Sequence, residues 1–317
     1  LKAVVSNLTS DFRNPKRNKE RVLALPQRVA ITGSSGLIGA ALVGHLKSEG
    51  HTVQRLVRRK PVAPDEVAWD PMSGTVDLAP LEGVDAIIHL AGAGVGDKRW
   101  SKKYKAQILN SRLFGTTTIA SAVGKLKPSV FISSSAIGWY GETGNRAVTE
   151  SDRAGDDFLA SVCKEWEAAA DAVTSVRTVK IRTGLVLDPT GGALGRMMPL
   201  FKMGLGGRLG NGKQWWSWIT LHDEIKAISY LLEKEIEGPV NLTSPNPVTN
   251  SEFTAALARA LRRPALFPAP AFALKVALGG FSTEILGSKR VIPQRLVDSG
   301  FVFDFPQLPS ALTELVK

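Results

Sequence analysis

One cysteine, four histidines and three tyrosines are all that the 317 residues hold of the side chains behind most thiol, metal and phenol chemistry. A single Cys163 excludes an internal disulfide framework, and His45, His51, His89 and His222 are too scattered to form a zinc-ligand pattern. No metal is expected, and a reducing compartment, the cytoplasm, is the economical setting. No apolar run approaches the ~18 residues of a membrane span; the best, Ala269 to Phe281, is short and contains Lys275. Basic stretches interleaved with base-stacking aromatics are missing as well. Neither a membrane nor a nucleic acid is therefore expected as a partner.

Charge is spread unevenly. Lys2, Arg13, Lys16, Arg17, Lys19, Arg21 and Arg28 stand against Asp11 and Glu20 at the front of the chain, so this segment supplies +5 of the formal +11. The first residue is Leu1 rather than Met, and residues 1 to about 25 lack an amphipathic apolar face. They read as a linker behind an upstream domain, with a transit peptide and a nucleic-acid arm as alternatives. The length exceeds that of a single core, which predicts a larger domain over 26–190 and a smaller substrate domain over 191–317.

Glycine is present in an informative place. Gly33-Ser34-Ser35-Gly36-Leu37-Ile38-Gly39 follows the apolar run Arg28 to Thr32 and opens the helical stretch Leu37 to Lys47. Strand, glycines and helix in that order are what a dinucleotide pyrophosphate requires: a tight turn, a backbone approached closely, and free N–H groups at the positive end of a helix. Further β-rich runs at 53–57, 86–90, 130–133 and 179–182 alternate with helical patterns at 102–123 and 158–173. The alternation predicts βαβ crossovers and a doubly wound parallel sheet, a Rossmann α/β fold. After Leu187 the chain becomes rich in loops. Helices are expected near 222–235 and, behind the capping-box pair Thr249 and Glu252, at 251–261. These belong to a smaller C-terminal α+β domain, some of whose segments return to the sheet.

The end of the second strand lacks the Asp or Glu that holds the ribose 2′-hydroxyl of NAD, and Arg58-Arg59-Lys60 stands there instead. An arginine pairs bidentately with a 2′-phosphate, so NADP(H) is the expected cofactor and Arg58 or Arg59 its anchor.

Thr32-Gly33-x-x-Gly36-x-x-Gly39, Asp85 with His89-Leu90-Ala91-Gly92, and Ser133-Ser134-Ser135-Ala136 leading to Tyr140-Gly141 resemble the extended short-chain dehydrogenase/reductase superfamily. Its sugar-nucleotide epimerases carry these blocks in this order. Trp69-Asp70-Pro71, Arg99-Trp100, Ser111-Arg112, Phe158-Leu159-Ala160 with Trp166-Glu167, Trp216-Ser217-Trp218-Ile219 and the tail Gly287 to Phe305 narrow the similarity. They resemble the atypical nucleoside-diphosphate-sugar epimerase-like subgroup, also labelled SulA-type division inhibitor homologues, which ends in a small domain of unknown function. The resemblance implies that Leu90, Ala91, Gly92, Ser133, Thr183 and Gly184 join the glycine loop in lining the cofactor.

In that superfamily a Ser or Thr, a Tyr and a Lys do the chemistry. The Tyr exchanges a proton with the substrate oxygen while hydride moves, and the Lys four residues on lowers its pKa. Here the helical registers Ala160/Lys164, Val162/Trp166 and Cys163/Glu167 contain no tyrosine, and the literal pair Tyr230 and Lys234 falls in a later helix. Ser135 matches the superfamily serine, with Tyr140 five residues on, and these are the catalytic candidates. Their alternatives are a serine that satisfies strand-end backbone groups and a tyrosine that walls the pocket. Arg112 stands where the epimerases carry an asparagine and, with Trp166 and Trp218, is expected on the substrate side; packing, a hydrophobic lid and an interdomain seam are the alternatives. Cys163 reads as packing, His89 as a satisfied core histidine, and Asp223 as a helix cap or hinge partner. The expected activity is that of an NADP-dependent oxidoreductase or epimerase-like enzyme on a small sugar-nucleotide or anionic substrate. The alternative is an NADP-binding regulatory or interaction protein that lost catalysis with the Tyr and Lys.

Overall fold

Arg28–Thr32 (β1), Ala86–His89 and Val130–Ala136 are buried along most of their length, as only parallel strands covered on both faces can be. A computed structural model describes residues 27–317; the leader expected over 1–25 lies outside the described residues. After β1 come α1 (Leu37–Ser48), β2 (Thr52–Val57), β3 (Glu66–Asp70), β4 (Thr75–Val76), β5 (Ala86–His89), α2 (Lys102–Leu126) and β6 (Val130–Ala136). β7 (Ala147–Val148), α3 (Phe158–Asp171), β8 (Arg177–Thr183), β9 (Leu185–Asp188) and α4 (Gly192–Lys202) follow. Next are β10 (Trp215–Trp216), β11 (Trp218–Thr220), α5 (Leu221–Glu233), β12 (Gly238–Leu242), β13 (Val248–Thr249) and α6 (Asn250–Leu261). The chain ends with α7 (Ala271–Leu278), α8 (Ser282–Leu286), β14 (Arg290–Val291), α9 (Gln294–Asp298) and α10 (Leu308–Leu315).

The central sheet has the order β12-β8-β6-β5-β1-β2-β3-β4, parallel except for the β3–β4 pair. Strand parity divides its two faces. Val29, Ile31, Ile88, Ile132, Val179 and Ile181 pack on Leu42 and Leu46 of α1 and Ile228 and Leu231 of α5. Ala30, Ile87 and Phe131, one residue out of phase, pack on Ile119 and Val123 of α2 and Ala170 of α3. This is the doubly wound α/β fold that the alternation of strands and helices predicts.

Two strands escape the pattern. β3 carries Glu66 and Asp70 at its ends, and β12 comes from the C-terminal half to pair with β8 at the sheet edge. β6 also continues to Ala136, which places Ser135 inside the strand, opposite Arg182.

A smaller cluster, with Leu187, Leu194, Phe201, Trp218, Phe253, Leu257 and Leu312 at its centre, joins α4, α6 and α10. The capping box of Thr249 and Glu252 forms at the start of α6. Thr220, not Asp223, caps α5; Asp223 accepts the N–H groups of Asp304 and Phe305 at 2.9 Å and so ties α5 to the last stretch of chain. The run Ala269 to Phe281 becomes α7 and a 3-10 turn, and among the described residues no helix is long and apolar enough to cross a membrane.

Candidate cofactor and substrate site

At the carboxyl end of β1 the backbone turns at Gly33, whose φ of 71° suits glycine. A Cβ there would lie 2.8 Å from the Leu90 carbonyl carbon, and a Cβ at Gly39 would overlap the Gly33 oxygen. These two glycines let α1 and the loop after β5 close against the turn. Gly36 is the N-cap of α1 and offers no side chain to its first turn. The N–H groups of Leu37 and Ile38 and the hydroxyls of Ser34 and Ser35 make no hydrogen bond to any described residue. The positive end of α1 is thus bare, with the donors an anion needs. Below it the Thr32 hydroxyl accepts the N–H groups of Leu90 and Ala91, at 3.1 and 3.3 Å, and is bonded to His89 Nδ1 at 2.7 Å. Burial pushes the His89 imidazole down to about 3, so it is a neutral structural group.

The two arginines behind β2 differ. Arg59 forms a fork with Glu66, at 2.8 and 2.6 Å, and this pairing holds the Glu66 carboxyl down to about 2. Arg58 is exposed and has no partner among the described residues. Of the two, Arg58 is the guanidinium left free for a 2′-phosphate, while Arg59, though exposed, is engaged by Glu66.

At the end of β6 the polar groups are occupied too. Ser135 donates to Glu167 Oε1 at 2.6 Å, and Arg182 grips the same carboxylate from Nε and Nη2 at 2.8 and 2.9 Å. Arg182 Nη1 donates to the Tyr140 hydroxyl at 3.0 Å, and that hydroxyl donates to Asn241 Oδ1 at 2.7 Å. All five residues are buried. Burial pushes the Tyr140 phenol up to about 12, against the opposing pull of Arg182. Tyr140 is therefore corrected from catalytic candidate to a member of an internal hydrogen-bonded chain. The Ser135 proton points to Glu167, and the Cys163 thiol lies beside its oxygen.

The stripe of α3 facing this point is Leu159, Cys163 and Glu167, at spacings of one turn. Neither of the first two can replace a Tyr or a Lys; burial pushes the Cys163 thiol up to about 12, and it sits 3.7 Å from the Ala136 oxygen. A cation does stand nearby. Arg112 approaches Gly92 and stacks 4.7 Å above the ring of Trp166, while its Nη1 donates to the carbonyls of Ala93 and Ile108, both at 3.0 Å. It has no carboxylate partner among the described residues, and desolvation lowers its pKa. Trp166 is 5 % exposed with a buried, unpartnered Nε1, so it is the floor under Arg112 rather than a lid.

The remaining expected residues divide. Ser133 is buried, its hydroxyl reaching only Ser134 O at 3.4 Å. Thr183 donates to Glu224 Oε1 at 2.7 Å; Glu224 is completely buried with Oε2 unpartnered, and burial lifts its carboxyl to about 8. Gly184 is required by packing, since a Cβ would lie 2.7 Å from Ser217 O. Trp218 is corrected outright: it is inaccessible, bonded to Asn246 O at 3.0 Å, and sits in the smaller core rather than on a substrate wall.

Residues without an assigned role in the sequence line the outer cleft. Trp100 packs on Phe158 at 5.2 Å and on Phe281 at 5.7 Å, and the Lys105 ammonium lies 4.7 Å from the Phe158 ring. Trp100, Lys105 and Phe158, with Glu142 and Lys289, border a cavity of about 360 Å³. Arg196 of α4 reaches the loop before α2, donating to Gly96 O at 2.7 Å and Asp97 Oδ1 at 3.1 Å. The motif Arg99-Trp100 was the available signal. Ser135, Tyr140 and Glu167 stood in recognisable motifs, but their linkage to Arg182 and Asn241 had no signal, because it depends on strand register and on the packing of α3.

Residues 29–243 match the NAD dependent epimerase/dehydratase family, and residues 269–315 match a domain of unknown function, DUF1731. The epimerase family protein ML0860 of Mycobacterium leprae is 43 % identical over 289 residues, which cover 90 % of this chain and 94 % of that one. The crystal structure of human epimerase family protein SDR39U1 (isoform 2) with NADPH is similar at a TM-score of 0.83 and 32 % identity, over 91 % of this chain and 98 % of the human one. The nucleoside-diphosphate sugar epimerase of Corynebacterium glutamicum is similar at 0.74 and 34 %, over 92 % of this chain and 58 % of that chain.

Proposed function

The chain belongs to the NAD dependent epimerase/dehydratase family, and from that premise we propose an NADP(H)-dependent oxidoreductase or epimerase-like enzyme acting on a small anionic substrate. One observation carries the choice of cofactor: Arg58 is an exposed, unpartnered guanidinium where an NAD site needs a carboxylate. The NADPH in the human relative's crystal structure supports the same reading. When bound, the dinucleotide supplies hydride transfer at its nicotinamide. The bare first turn of α1, with Ser34 and Ser35, holds the pyrophosphate, and Leu90 to Gly92 form the adjoining wall. Arg112, desolvated and without a carboxylate, orients an anionic group of the substrate. Ser135 accepts a hydrogen bond from a substrate hydroxyl and, as that proton arrives, passes its own to the Glu167 carboxylate 2.6 Å away. Residues from about 191 onward make the substrate side, with Arg196 fastening α4 to the loop before α2.

Arg58→Ala tests the cofactor assignment by calorimetric titration. NADPH should weaken by roughly 1.5–3 kcal/mol while NADH hardly changes. Equal weakening of both, or of neither, overturns it. A second reading, an NADP(H)-responsive regulator, draws on Leu159 and Cys163 occupying the turn of α3 that faces Ser135. NADPH binding without turnover on any anionic carbonyl or alcohol would establish that reading instead.

A further inference from the structure

Two long segments contain no acid at all: residues 189–222, between Asp188 and Asp223, and residues 253–283, between Glu252 and Glu284. They hold eight bases, of which only Arg196 is paired; Lys202, Arg208, Lys213, Arg259, Arg262, Arg263 and Lys275 are exposed, with no ion pair or side-chain hydrogen bond among the described residues. The same two segments supply seven of the twelve large apolar side chains that stand exposed, so grease and unpaired cations are concentrated in one part of the molecule. Phe272 and Val276 of α7 are each 72 % exposed and Leu266 is 74 % exposed, and no residue of α7 is buried.

The segments form one surface. Leu205 bridges to Ala265 and Leu209 to Ala269, Phe267 N donates to Gly206 O, and Ala269 N donates to Arg208 O. Leu200, Met203 and Leu205 therefore adjoin Leu266 and Phe267, and α7 continues the surface from Pro270, with Ala271 against Gly210. A second copy of the chain suits it poorly, because a two-fold interface would set the seven unpaired cations against their own images. Apolar side chains ringed by cations match an anionic bilayer, whose acyl boundary accepts the first and whose headgroups accept the second.

We propose that this face docks the protein peripherally on an anionic lipid bilayer. The expectation of no membrane partner rests on the absence of a long apolar run, and an interfacial face assembled from two segments leaves no such run. Docking would also bring the cleft towards the lipid surface, since Gly279 to Phe281, directly after α7, contact Arg99 and Trp100.

Cosedimentation of the full chain with sucrose-loaded vesicles tests the assignment. Binding is expected to phosphatidylglycerol vesicles and not to phosphatidylcholine, and to fall at least tenfold between 0.1 and 0.5 M salt as screening shortens the electrostatic reach. At about fivefold per surface cation, Lys202→Glu/Arg263→Glu/Lys275→Glu should weaken binding by 100-fold or more on the same scale. Phe272→Ser/Val276→Ser should reduce it at both salt concentrations. Unchanged melting temperature and NADPH affinity in both variants show that the fold is intact. Three results overturn the proposal: no binding to phosphatidylglycerol, full binding by the charge-reversed variant, which would move the contact to the basic leader, or a concentration-dependent dimer that Phe272→Ser dissolves.

Discussion

The glycine turn after β1 and the carboxyl end of β6 lie on the same edge of the same sheet, and both are polar. They differ in how much of their hydrogen-bonding capacity is spent. Around Gly33 to Gly39 the first N–H groups of α1, two serine hydroxyls and Arg58 have no partner among the described residues. At Ser135 a carboxylate, a guanidinium, a phenol and an amide satisfy one another completely enough to be buried. Unspent donors in the open mark where a ligand is awaited, whereas spent ones in the interior mark where the fold itself is held. Arg112 stands between the two, a half-buried guanidinium with spare donors and no counter-charge among the described residues.

Glu167→Ala should break the comparison hardest. It leaves Arg182 buried without its carboxylate, a loss of about 3–5 kcal/mol that thermal unfolding reads as a fall of well over 5 °C. NADPH affinity of the folded protein should stay within about twofold, the mirror image of Arg58→Ala, which loses affinity and keeps stability. A large change in NADPH affinity would mean that the two regions are coupled.

Tyr140→Phe comes next. It strips a donor from Asn241 and an acceptor from Arg182 at a cost of about 1–3 kcal/mol, measured by denaturant titration, with turnover retained once a substrate is in hand. A drop in turnover of 10² or more would return Tyr140 to the catalytic role that its burial denies it.

The smallest effect concerns the Thr183–Glu224 pair, half spent and half bare. The folded carboxyl holds its proton up to about 8, while the unfolded chain releases it near the ordinary glutamate value of about 4.5. The folded state thus binds more protons between those values, and its stability contribution is lost as pH rises through that window. Melting temperature should decline by several degrees from pH 5 to pH 8, and Glu224→Gln should flatten the decline. Parallel profiles for the two proteins would refute the assignment.

Much of this was readable in advance where the signal is local. The glycine loop, the apolar strands and the capping box at Thr249 each depend on neighbours in sequence, and each formed. β3 did not announce itself because charged residues begin and end it, and β12 because its partner β8 lies more than fifty residues earlier. Trp218 was misplaced because a tryptophan-rich motif looks the same in a core as on a wall until burial is known. The pairing of Arg59 with Glu66 could not be read beside Arg58, because it requires β3. The network at Ser135 draws members from positions 135, 140, 167, 182 and 241, which the register of β6, β8 and β12, the turn after β6 and the packing of α3 bring together.

The last stretch of chain returns to the large core, where Leu296 is inaccessible and Phe301 nearly so, packed with α1, α5 and the sheet. β14 also pairs with β7, and Ser217 bonds Lys289 O and Val291 N. The matched C-terminal region is accordingly no detachable module: cutting it away would open holes in the dinucleotide-binding half. During synthesis that half stays unfinished until Phe301 has emerged, about 270 residues after β1, so its folding closes with a contact of very long sequence separation. Such a chain spends most of its translation with an open apolar seam, dependent on chaperones or on speed to keep it from sticking elsewhere.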